Sequence, residues 1–178
     1  MNLLHSIKAH TNDSLINIVI EVPSGSQSKI EYDQNQGKFI VDRVLSIKLP
    51  LPFNYGFIPE TWSLDNDPLD AVVLSSKSIP TGSVVISKII GILSTKDEKG
   101  TDAKLIAVPD SQTDVVFSKI NTLEDLDQQT LEDIQHFYKN YKLIEPGKWV
   151  DIDGFNSKEK ADTELSAAID LYHQHFQK

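Results

Sequence analysis

The sequence predicts an α+β protein that is mainly β, with its strands first and its helices last. Three observations carry that prediction. Short runs rich in Val, Ile and Tyr alternate with turn residues as far as Pro109. From about Leu131 the apolar residues recur at helical spacing instead. Nowhere do strand and helix patterns alternate as they would in parallel βαβ units, so the strands are expected to form a sheet or small barrel with helices appended.

Residues 15–22, Leu-Ile-Asn-Ile-Val-Ile-Glu-Val, stop at Pro23 and read as a strand with Glu21 near its end. Residues 28–33 and 38–45 alternate on either side of Gln34-Asn35-Gln36-Gly37, a hairpin pattern. In its first arm Lys29 and Glu31 share a face, and in its second Phe39, Val41 and Arg43 do. Pro50, Pro52 and Pro59 bracket residues 51–57, which read as a stiff irregular connection. Its Tyr55 suits either core or site. Residues 71–74 are the next strand, Pro80-Thr81-Gly82 a turn, and residues 83–93 a strand with Gly91 at a bulge. Gly100 then turns a strand–loop–strand unit with Asp97 and Asp102 on either side, and Asp102 shares a face with Lys104. Leu131, Ile134, Phe137 or Tyr138, and Tyr141 follow helical spacing after a capping-box-like Thr130 and Asp133. Residues 146–152 hold a turn and a short strand. A second amphipathic helix opens at Asn156 or Ser157 and carries Ala161, Leu165, Ala168 or Ile169, Tyr172 and Phe176. No repeat or linker divides residues 1–178, so one domain is expected.

Charge and composition exclude several functions. The chain of 178 residues carries 17 Lys and Arg against 26 Asp and Glu, a formal net charge of −9 at pH 7. That balance opposes a nucleic-acid partner, whose affinity comes largely from neutralised phosphates. Without cysteine there is no thiolate catalysis, disulfide or cysteine-ligated metal. The first residues lack the apolar core of a signal peptide and no run reaches membrane-spanning length, so a cytoplasmic protein with no membrane partner is expected.

The segment Asp65-Asn66-Asp67-Pro68-Leu69-Asp70 places three carboxylates directly ahead of a buried strand. Two unit charges about 4 Å apart repel by roughly 4 kcal/mol at an effective dielectric of 20, so a converging trio favours a cation. Pro68 restricts Asp67 to an extended conformation, which would set Asp65 and Asp67 on one side, and a turn at Pro68 would bring Asp70 to them. An isolated D-x-D-x-x-D is more often a solvated acidic turn, and charges on a hairpin are more often an outer sheet face. The repeated pairing of acid with lysine, in Lys29 with Glu31 and in Asp102 with Lys104, weighs against both.

Competing motifs fail. A calcium-binding EF-hand loop opening at Asp65 would need Gly where Asp70 stands and Glu where Ser76 stands. Glycine-rich phosphate loops, H-E-x-x-H and G-x-S-x-G are absent. Oxygen donors remain: Glu21, Glu31, Asp65, Asp67, Asp70, Asp97 and Asp102, with Lys29, Arg43, Lys104, Lys142, Tyr55 and Tyr141 as cationic or phenolic partners. All-oxygen ligands select Mg²⁺ or Mn²⁺, and magnesium is commonly shared between carboxylates and substrate phosphates. The chemistry implied is metal-assisted phosphoryl transfer with water as acceptor. The alternatives are a non-enzymatic OB-type module for single strands or protein partners, and simple calcium buffering.

Asp65-Asn66-Asp67-Pro68-Leu69-Asp70-Ala71 resembles the signature of the soluble family I inorganic pyrophosphatases. The likeness extends through Glu21-Val22-Pro23, Lys29-Ile30-Glu31-Tyr32, Val41-Asp42-Arg43, Asn54-Tyr55-Gly56, Asp97 with residues 102–109, and Tyr141-Lys142 with Gly147-Lys148-Trp149. It covers nearly the whole chain, whose length matches the short bacterial form. The resemblance implies a five-stranded OB-like β-barrel with two principal C-terminal helices packed outside and the site in the barrel's mouth. It implies hydrolysis of inorganic pyrophosphate with several Mg²⁺ ions, Mn²⁺ or Zn²⁺ as substitutes and Ca²⁺ as inhibitor. Asp65, Asp70 and Asp102 would hold the tightest metal, Asp70 would help hold a second with a hydroxide between them, Asp97 and Asp102 a further ion, and Glu31 one arriving with substrate. Asp67 would take the proton of the attacking water. Lys29, Arg43, Lys104, Tyr141 and Lys142 would grip the phosphates, with Glu21 and Tyr55 as hydrogen-bonding support. The family pattern has a tyrosine where this chain has Leu51, so one phenolic hydrogen bond near the phosphate or the general-base water is expected to be missing. A homohexamer is implied too, with His136 at a position linked to subunit packing and Asn140 where the family has histidine.

Overall fold

The computed structural model describes residues 2–45, 49–98, 100–143 and 145–176. The chain runs through α1 (Leu3–Ser6), β1 (His10–Asn12), β2 (Leu15–Val22), β3 (Ser28–Asp33), β4 (Lys38–Val44), β5 (Asn54–Phe57), β6 (Asp70–Val73), β7 (Val84–Asp97) and β8 (Gly100–Pro109). Two single-turn 3₁₀ segments follow, then α2 (Gln128–Asn140), β9 (Val150–Asn156) and α3 (Lys158–Phe176).

Pairing closes a ring. β2 pairs with β5, β5 with β6, β6 with β8, β8 with β7, and β7 returns to β2. This five-stranded ring is the expected OB-like core, and only the β6–β8 pair in it is parallel. β1 and β9 add to β2 and β7, while β3 and β4 form a separate hairpin. The alternation of side chains divides the apolar residues between two clusters. Ala71, Val73, Leu105 and Ala107 pack with Ala161, Leu165 and Ala168 of α3, whereas Val72, Ile106 and Val108 pack with Ile134, Phe137 and Tyr138 of α2.

The structure corrects three local expectations. Residues 54–57 are a strand of the ring, not part of an irregular connection. Four residues are too few to display a period, and the strand depends on Gly56, where an added Cβ would lie 1.9 Å from the Val19 carbonyl oxygen. The segment 65–67 is a turn instead of an extended stretch: Asn66 adopts a φ of 66°, and the Asp67 N–H donates to Asp65 Oδ1 at 3.3 Å. Asparagine is among the residues that tolerate this left-handed conformation best. The N-cap of α2 is Asp127, which accepts from the Thr130 N–H at 2.8 Å, so Thr130 lies inside the helix it was expected to open. The bulge at Gly91 is present as a register shift between Ile89 and Gly91.

Candidate active site

Strand register builds the site. In the parallel pair, Asp70 at the start of β6 lies beside Lys104 of β8. Asp102 precedes Lys104 by two positions and so shares its face. The Lys104 ammonium consequently sits 2.6 Å from Asp70 Oδ2 and 2.9 and 2.8 Å from the two oxygens of Asp102. Burial opposes that positive charge, but Asp70 and Asp102 outweigh it and hold the ammonium well above its usual range. Asp102 itself is pushed up by burial, against the pull of Lys104.

The hairpin supplies a second wall. Lys29 and Glu31 form an ion pair, as their shared face predicts, and Arg43 lies opposite Lys29 in the ladder. Arg43 reaches Asp42 at 3.2 Å and Glu145 at 3.3 Å. Glu21, at the end of β2, accepts the Tyr32 N–H at 2.7 Å, and burial pushes its carboxyl up to about 8. A third wall comes from the end of α2: Tyr141 caps the helix, and Lys142 binds Asp97 at 2.7 Å and Glu98 at 3.4 Å. Burial also raises Tyr55 far above the ordinary phenol range, with the negative charge of Asp70 reinforcing the effect. Tyr55 is thus a protonated phenol.

These walls enclose one cavity of about 250 Å³. Glu21, Lys29, Glu31, Arg43, Tyr55, Asp65, Asp67, Asp70, Asp97, Asp102, Lys104, Tyr141 and Lys142 all line it. The structure therefore brings together the residues that the sequence offered as metal ligands, phosphate contacts, proton acceptor and hydrogen-bonding support, while His136 and Asn140 lie outside the cavity. Leu51 lines it as well, contributing a buried apolar wall. Sequence reasoning missed Glu98 and gave Lys148 no task, though both line the cavity, and it missed Glu145, which like Glu98 lies 3.9 Å from Lys148. Their adjacency to Asp97 and to the Gly147-Lys148-Trp149 motif was the available signal. It also missed Tyr138, which helical spacing presents only as a core residue.

The donor set suits a hard cation, because the described titratable side chains around the cavity offer carboxylates and phenols but neither thiolate nor imidazole. As the side chains stand, no group of three or more carboxylates or histidines among the described residues is arranged to hold an ion. Two carboxylates do already converge on one positive charge, that of Lys104. The place is built to neutralise a cation.

A family model described as inorganic pyrophosphatase matches residues 18–173. The inorganic pyrophosphatase of Sulfolobus acidocaldarius is 46% identical over 155 residues, covering 87% of this chain and 90% of that protein. The solved inorganic pyrophosphatase of Helicobacter pylori superposes with a TM-score of 0.91 at 40% identity, over 95% of this chain and 99% of that one. The Thermus thermophilus enzyme does so with a TM-score of 0.89 at 39% identity, over 97% and 99%. The strand ring, the cavity at its charged end and these likenesses agree, and the chain belongs to the inorganic pyrophosphatase family.

Proposed function

We propose that this chain hydrolyses inorganic pyrophosphate to two orthophosphates with Mg²⁺, by direct attack of water and without a covalent intermediate. Pyrophosphate hydrolysis is the activity of its family. The observation that best supports the site-level reading is the meeting of Asp70 and Asp102 at one cation inside a cavity that also holds Asp65, Asp67, Asp97 and Glu31.

Asp65, Asp70, Asp102, Asp97 and Glu31 are the residues that would hold the ions. Bound there, Mg²⁺ supplies positive charge against phosphate oxygens and acidifies water. Asp67 accepts the proton of the attacking water. Lys29, Arg43, Lys104 and Lys142 bind the phosphates as cations, and Tyr141 donates to them, offsetting charge that builds on the leaving group. Tyr55, on the cavity wall, supports the site through its hydroxyl, and Glu21 anchors the hairpin through the Tyr32 N–H. Mn²⁺ or Zn²⁺ would substitute. Ca²⁺ would inhibit, since its larger and looser coordination competes without holding compact in-line geometry. A cytoplasmic setting and a hexamer belong to the same proposal; His136 and Asn140 lie on the outer side of α2, with Asn140 donating to the His136 carbonyl at 2.6 Å.

Orthophosphate release from pyrophosphate, measured in Mg²⁺ and then in Ca²⁺, tests this reading. Turnover in Mg²⁺ that collapses in Asp70→Asn and Asp102→Asn is expected. Ion binding without turnover would instead identify a cation buffer, and turnover indifferent to both substitutions would overturn the assignment of the site.

A further inference from the structure

Tyr138 is a buried polar residue of the cavity to which the mechanism above gives no task. It projects from α2 into the cavity wall and is 3% exposed. Its ring stacks on Phe53 at 18° and meets Phe137 and Tyr141 edge-on. A phenylalanine would make all of those ring contacts. What it would lack is the hydroxyl, and among the described residues that hydroxyl has no hydrogen-bond partner. Two other buried side-chain atoms share this condition, Arg43 Nε and Glu145 Oε1, but they face each other in an ion pair at 3.3 Å. A buried hydroxyl left unpaired costs about 1–3 kcal/mol, so the fold gains nothing from it.

The polar neighbours of the ring belong to the site. The Lys104 ammonium lies 5.7 Å from the Tyr138 centroid and equally far from that of Tyr55, so two phenol rings flank it. That ammonium is bound to Asp70 and Asp102, the residues proposed as metal ligands. To serve substrate it must exchange carboxylate oxygens for phosphate oxygens, and in a buried site it needs an acceptor that does not compete for the metal. A neutral phenol oxygen is such an acceptor.

We propose that Tyr138 is a positioning residue for Lys104: its hydroxyl oxygen accepts a hydrogen bond from the ammonium when that ammonium turns from the carboxylates to a substrate phosphate. The inference rests on the pyrophosphatase reading of the cavity.

Tyr138→Phe tests it, because only the hydroxyl is removed. The expected result is a fivefold to tenfold loss of kcat/KM with Mg²⁺, together with an unchanged or raised Tm and a smaller rise of Tm on adding orthophosphate. In a Lys104→Met background the same substitution should change the orthophosphate-induced Tm shift and kcat/KM by less than twofold, since residues acting through one another are not additive. Activity of Tyr138→Phe within twofold of wild type, or equal losses in both backgrounds, overturns the proposal. A wild type that releases no orthophosphate sinks the functional reading instead, while an active wild type with an indifferent Tyr138→Phe sinks this inference alone.

Discussion

Strand β8 has two halves of opposite chemistry. Residues 105–109 are buried and apolar, packing against α3 on one face and α2 on the other. Residues 100–104 open toward the cavity and carry Asp102 and Lys104. β6 repeats the division within four residues, with Asp70 ahead of Ala71, Val72 and Val73. The parallel register aligns the two boundaries, Asp70 with Lys104 and Ala71 with Leu105. One half makes the ring stable, and the other collects charge that the ring must tolerate. Burying a Leu or Val side chain contributes about 1.5–3 kcal/mol. Bringing carboxylates together costs free energy unless cations answer them, and here Lys104, Lys142 and Lys29 do.

If the division is real, substitutions in the two halves should separate stability from activity. Leu105→Ala, in the fully buried half, should lower unfolding free energy by about 4 kcal/mol by creating a cavity, with kcat in the surviving folded protein little changed. Urea melts paired with phosphate release check this, and parallel losses would blur the boundary.

The charged end should instead declare itself through pH. Burial pushes the Glu21 carboxyl from 4.5, the ordinary value it has in the unfolded chain, up to about 8 in the folded protein. Below 4.5 both states hold the proton. As pH rises toward 8 the unfolded chain releases it while the folded protein keeps it, so stability falls across that window. Between pH 5 and 7.5 the metal-free protein should lose about 3 kcal/mol from this source, and Glu21→Gln should flatten the loss. Chemical denaturation at a series of pH values reads the slope, and an equal slope in the variant would remove Glu21 as its cause.

Saturating Mg²⁺ should stabilise the protein by about 2–3 kcal/mol at a hundredfold excess over Kd, because filling the site relieves carboxylate repulsion. Melting curves that ignore Mg²⁺ would count against a metal site at this end. At the opposite end of α2 from Tyr141, Asp127→Ala should cost about 1 kcal/mol by removing the helix N-cap. Thermal melts measure it, and activity should stay unchanged.

Legibility in the sequence follows the same physics. β2 and the β3–β4 hairpin were readable because six to eight residues of alternation outlast local accidents. The sharing of faces by Lys29 with Glu31 and by Asp102 with Lys104 followed from that period alone, and both pairings are present. β5 was hidden because four residues cannot show a period and three prolines surround it. The turn at Asn66 was hidden because Pro68 constrains Asp67 but says nothing of the residue before it. The cap of α2 was misplaced by three residues because Asp127 and Thr130 both fit the preference for an N-cap. The pairing of β6 with β8, on which the site depends, spans 34 residues from Asp70 to Lys104 and left no local trace. The gathering of the charged residues could therefore be expected only from the resemblance, and Tyr138 only from its unpartnered hydroxyl.

The central claim is that the charged end of the ring is a metal-assisted hydrolytic site in which Asp67 takes the proton of water. Asp67 lies exposed at the cavity edge, so Asp67→Asn should leave folding nearly intact. Orthophosphate release from pyrophosphate at saturating Mg²⁺, wild type against Asp67→Asn, is the most direct measurement. The account predicts turnover in the wild type and at least a roughly hundredfold fall in kcat in the variant, with unchanged Tm. Equal turnover in the two proteins would contradict it.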